Sequence, residues 1–141
     1  MFENLQDILT SFAALLCGFA TGGAWIGVVV VPNESFDHMD YSRADRHVRD
    51  VLKSGSTAIA GTLLAASAFA VLGGSFGAAA IAALACFGFF TNRWTLSKRT
   101  EPSSPPGTRQ RKKSQRIVAV ALSLMFGLAA AAAGIMAVFG I

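Results

Sequence analysis

The chain has 141 residues, enough for one domain. Hydrophobic residues make up 53% of it, charged residues only 14%, and the formal net charge is +4. A soluble domain usually carries about 25% charged residues, so this composition excludes a polar surface able to cover the chain in water. The charges are confined to short stretches between long apolar runs, the distribution of a membrane protein.

The first seven residues, MFENLQD, carry Glu3 and Asp7 and no basic residue. A signal peptide wants a basic start and a shorter apolar core, so the apolar segment that follows is expected to be a mature helix. A spanning helix needs roughly 20 mainly apolar residues to cross about 30 Å of hydrocarbon. The first such segment runs from Ile8 to Val31, with Pro32 expected to end it.

The loop 32–53 comes next. Ser42 and Asp45 have the spacing of a capping box, and Ala44, Val48, Val51 and Leu52 recur at helical spacing. The pattern predicts a helix from about Arg43 running unbroken into the second span, with i,i+4 pairs Asp45–Arg49 and Arg46–Asp50. His38 and His47 also lie here, with Glu34, Asp37 and Asp40 near His38. They form a candidate His/carboxylate metal site, set against the simpler reading of a solvated acidic turn and an ion-paired helix end. Tyr41, and Trp94 further along, suit the headgroup layer.

The second span is expected over about 54–72 and the third over about 76–91, divided by the turn signal GGSFG at 73–77. The loop 92–116 follows. Its TEPSSPPGT stretch, with three prolines, reads as an extended or flexible linker. TRQRKKSQR, residues 108–116, holds five basic residues and no acidic one. The uncharged fourth span, 117–141, follows at once. The basic run is therefore expected to be a topology anchor, with Arg109, Arg111, Lys112, Lys113 and Arg116 contacting anionic lipid or a partner. Nucleic acid is not the expected partner, because interleaved aromatics and a recognition fold are missing.

These spans lack the alternation of barrel strands. The predicted fold is all-α, an integral membrane antiparallel four-helix bundle forming a single domain over 1–141. All 12 basic residues fall in the loops 32–53 and 92–116. Basic residues beside spans stay cytoplasmic, so both loops are expected in the cytoplasm and both termini outside it, in an inner or plasma membrane.

Small residues repeat every four positions: Ala14, Gly18 and Gly22 in the first span, Thr57, Gly61 and Ala65 in the second, Ser123, Gly127 and Ala131 in the fourth. Gly23 and Gly27 make a further pair. Such stripes let helices approach closely in lipid. Gly18, Gly22, Gly61 and Gly127 are the expected helix-packing residues, serving either the chain's own packing or a face for another subunit. Cys17 and Cys86 are expected to be small buried hydrophobes. No acidic, basic or histidine side chain lies well inside a span, so a proton relay or an axially ligated haem is not signalled. No P-loop or hydrolase triad is evident. No catalytic, metal or cofactor residue is assigned, and no cofactor is expected.

GGAWIGVVVVP closing the first span, YSRADRHVRDVLK leading into the second and FFTNRWTLSKR with Asn92 closing the third resemble small four-helix membrane proteins of the anthrone-oxygenase-like type. The resemblance covers most of the chain and implies the fold. The Asn- and Pro-containing pattern expected after the third span is missing, so oxygenase activity is not implied.

The leading expectation is a non-enzymatic accessory or scaffold subunit of a membrane assembly. The alternative is a small enzyme acting on a lipid-soluble compound at the cytoplasmic face through His38, His47, Asp37, Asp40 and Asn92. A homo-oligomeric transporter or channel comes third, disfavoured by the uncharged spans.

Overall fold

The structure is a computed structural model that describes residues 2–97 and 108–141, with side chains described for 4–94, 114 and 116–141. It consists of helices α1 (Phe2–Trp25), α2 (Val31–His38), α3 (Tyr41–Leu72), α4 (Phe76–Ser97) and α5 (Thr108–Val138). A π-helical turn, Ile26–Val30, joins α1 to α2. Among the described residues there is no strand. Four helical stretches are long and apolar enough to cross a membrane: Asn4–His38, Tyr41–Leu72, Phe76–Trp94 and Arg116–Val138. The chain is an all-helical protein of multi-pass membrane type. Helices suit that setting because each satisfies its own backbone hydrogen bonds.

Pro32 does not end the first helix. Proline lacks an N–H and its ring crowds the carbonyl four residues back. A π-turn relieves that crowding by widening the backbone: Val31 N–H donates to Ile26 O, five residues back, and α2 then continues to His38. Tertiary packing makes the continuation worthwhile. Val28, Val48, Leu52 and Ala119 form a buried cluster against which Val31, Phe36 and Val120 pack.

The break comes at Met39 and Asp40, whose backbones are extended at ψ 154° and 140°. Asp40 then caps α3 with its carbonyl, which accepts from the Arg43 and Ala44 N–H groups at 2.9 Å each. No side-chain cap forms at this helix start. Because α3 begins at Tyr41, Ser42 lies inside the helix and the expected capping box is not made. The unbroken run of this helix into the second apolar segment is as expected.

Gly73–Ser75 is a tight turn. Gly74 has φ +83°, which glycine adopts without a Cβ penalty. Gly74 N–H donates to Val71 O and Ser75 N–H to Ala70 O, the pair of bonds that closes a Schellman motif. The same motif closes α5: Gly140 has φ +69°, Gly140 N–H donates to Ala137 O and Ile141 N–H to Met136 O. The Ile141 carbonyl also accepts the Ala78 N–H near the start of α4, at 3.1 Å. A Cβ on Gly73 would stand 2.6 Å from Thr10 Cγ2. The 73–75 turn, the start of α1 and the end of α5 therefore meet at one end of the molecule.

α1 packs on α3 and α5, and α4 packs on the same two helices. The seams are built from small residues. Cys17, Ala20 and Ala24 meet Ala60, Leu63 and Ala66, with Ala82, Ala85, Phe89, Ala130 and Ala133 in the same buried cluster. In lipid, such close packing and a few interhelical hydrogen bonds replace the hydrophobic drive available in water. Ser67 Oγ donates to Ala79 O at 3.0 Å, and Cys86 Sγ to Ala60 O at 3.2 Å.

Candidate functional site

At the end opposite the Gly73–Ser75 turn, α2, α3 and α5 bring together a polar and aromatic cluster. Arg116 Nη1 donates to Asp45 Oδ1 at 2.8 Å, and Arg49 sits 3.8 Å from Asp45 Oδ2. The Arg116 guanidinium lies over Phe36 at 4.8 Å and near Tyr41 at 6.0 Å. Phe36 and Tyr41 are themselves 5.4 Å apart. The planar cation thus fastens the start of the last apolar segment to the helices on either side of the Met39–Asp40 break. The Asp45–Arg49 pair matches its helical spacing. Arg46 and Asp50 form no ion pair among the described residues. Arg109, Arg111, Lys112 and Lys113 lie in the first turns of α5, and their side chains fall outside the described residues.

The His/carboxylate constellation is not assembled. His38 Nε2 lies 3.6 Å from Glu34 Oε2, with both side chains exposed. Asp37, Asp40 and His47 are exposed as well. Among the described residues no three His, Cys, Asp or Glu side chains gather closely enough to hold a metal ion. Asn92 is instead 0% exposed inside α4. Its Nδ2 donates to Ser123 Oγ at 2.7 Å and to Ala119 O at 3.3 Å. The five residues considered for an enzyme site therefore separate into exposed loop and helix-end groups and one buried packing amide.

The glycine stripes divide in the same way. Gly127 is buried, and a Cβ there would stand 3.2 Å from Ala24 Cβ. Gly18, Gly22 and Gly61 are exposed, with nothing within 4 Å of where a Cβ would lie. Among the described residues they pack against no helix. The inner face of α1 is instead Ala13, Cys17, Ala20 and Ala24; Cys17 is buried as expected, while the packing role of the three alanines was not anticipated.

The π-turn borders a pocket of about 130 Å³ between α1 and α3. Gly23, Gly27, Gly55 and Ser56 line it, and Phe89 and Ser123 form its inner part. The signal that could have found it is Pro32 four residues beyond Val28, with glycines at 23, 27 and 55. Comparison with family models, curated proteins and solved structures gives no match to this chain.

Proposed function

We propose that this protein is a non-enzymatic accessory or scaffold subunit of a membrane assembly, folded as an antiparallel four-helix bundle in an inner or plasma membrane. The observation that carries the reading is the outward placement of Gly18 and Gly22, one helical turn apart, with open space beyond both. A glycine in a helix interior costs about 1 kcal/mol relative to alanine. No packing among the described residues offsets that cost at these positions. A neighbouring transmembrane helix that approaches α1 closely would offset it.

Both termini face away from the cytoplasm in this reading, because all 12 basic residues lie in the two stretches 32–53 and 92–116. The basic run before the last span contacts anionic lipid or the partner's cytoplasmic surface. Native mass measurement of the protein extracted in mild detergent tests the reading. A second polypeptide that stays with wild type and is lost on Gly18→Leu with Gly22→Leu supports it. A wild-type chain that travels alone, with lipid only, refutes it.

A further inference from the structure

We infer that the pocket beside the π-turn is a binding site for a small neutral molecule, a single ring bearing one hydroxyl, that enters from the bilayer. This stands independently of the scaffold reading, since it uses a different face and different residues.

Three features argue for it. The space is made by missing side chains. Gly27, in the π-turn, and Gly55, on α3, line the pocket, and a Cβ on either would meet no atom of another segment within 4 Å. Two alanines would fit there and would favour both helices by about 1 kcal/mol each, yet the positions hold glycine. The floor is firm: Val28, Leu52 and Phe89 are buried core residues. The cavity is thus a gap in a packed wall rather than a loose seam.

The second feature is Ser56. It is 3% exposed and lines the pocket, and its hydroxyl makes no hydrogen bond among the described residues. A serine in a membrane helix ordinarily bonds a carbonyl of the preceding turn, as Ser54 does with Asp50 O at 3.0 Å. A hydroxyl without a partner forgoes a hydrogen bond, which a ligand oxygen in the pocket would supply. Ser123 adds a second hydroxyl at the inner end, already accepting from Asn92.

The third feature sets the ligand's class. No charged side chain lines the pocket, so the ligand is neutral. An apolar cavity of about 150 Å³ accepts a benzene ring, and this one is about 130 Å³. The lining is otherwise Ala, Val, Leu, Ile and Phe. One ring with one oxygen fits both the volume and the single open hydroxyl. The π-turn completes the site. Pro32 supplies no N–H to the turn containing Gly27 and Val28, and π-turns of this kind recur at functional sites.

The test uses 4-fluorobenzyl alcohol and fluorobenzene as probes, followed by fluorine NMR on the full chain in detergent. Wild type should give a saturable bound resonance with the alcohol. Gly55→Leu and Gly27→Leu each place a side chain in the open space and should abolish it, with the thermal midpoint kept or raised. Two positions guard against one variant failing to fold. Ser56→Ala should weaken the alcohol about tenfold, the loss of one hydrogen bond, while changing fluorobenzene less than about twofold. No saturable resonance in wild type overturns the proposal, as does one that survives both leucine variants. Equal effects of Ser56→Ala on both probes also overturn it. A phospholipid retained by wild type and lost in Gly55→Leu would mean that an acyl chain fills the pocket, against the proposal.

Discussion

Arg116 on α5 reaches Asp45 on α3 at 2.8 Å, across 71 residues of sequence, while its guanidinium lies 4.8 Å from the Phe36 ring on α2. Their side chains are 17% and 27% exposed. An ion pair so placed is worth more than an open surface pair, though water still screens it. Asp45→Asn or Arg116→Gln should each lower stability in detergent by about 1–2 kcal/mol, between the surface and fully buried limits. Arg116→Lys keeps the charge but loses the planar stacking on Phe36, so it should recover only part of that loss. A double-mutant cycle on chemical unfolding gives the coupling directly. Strictly additive single effects would show that the pair contributes nothing.

The Asn92–Ser123 contact, at 2.7 Å in the interior, should cost more to lose from the Asn92 side. Asn92→Ala removes both donated bonds and leaves a gap, and should cost about 1–2 kcal/mol. Ser123→Ala removes one bond and leaves Ala119 O as a partner, so its cost should be under about 1 kcal/mol. Thermal midpoints of the purified variants check this ranking. A Ser123→Ala midpoint below that of Asn92→Ala would contradict it.

Glycine substitutions should sort by side rather than by sequence motif. A Cβ on Gly88 would stand 2.3 Å from the Phe126 ring. Gly88→Ala therefore has to displace the Phe126 ring, which packs 6.2 Å from Phe89, and should cost about 1–3 kcal/mol as an overpacked core does. Gly127→Leu should destabilise for the same reason against Ala24. Gly18→Leu and Gly61→Leu, which meet nothing among the described residues, should unfold with wild type as isolated monomers. Denaturation of the four variants under monomeric conditions separates the two groups.

Side-specific labelling reads the topology. With Cys17 and Cys86 replaced by alanine, Asp7→Cys should react with an impermeant maleimide added to intact cells. Asp50→Cys should react only after the membrane is opened. Both positions are exposed, so accessibility reports the side of the membrane. Reaction at position 50 from outside would reverse the orientation drawn from the basic residues.

The four apolar helices were legible in the sequence because length and hydrophobicity alone set that signal. The Gly73–Gly74 turn was legible because glycine marks a break wherever φ must be positive. The helix through Pro32 was not. A local rule stops a helix at proline, whereas Val31 and Phe36 gain packing against the Val48 cluster only if the chain continues. The glycine stripes were visible but their direction was not. Ala13, Cys17, Ala20 and Ala24 form an equally small row on α1, and spacing cannot say which row faces inward. The Arg116–Asp45 link, like Asn92–Ser123, joins helices far apart in sequence, so periodicity within one helix carries no trace of it. The Ser56 hydroxyl lay among many serines, and only its place in the lining of the pocket distinguishes it.

The scaffold reading rests on what lies against Gly18 and Gly22. A photo-reactive amino acid placed at either position in intact membranes would report it, with Leu128 on α5, 72% exposed, as the comparison. The expected result is a crosslink to a second polypeptide from positions 18 and 22 and to lipid alone from 128. Lipid-only products from all three positions would contradict the scaffold reading.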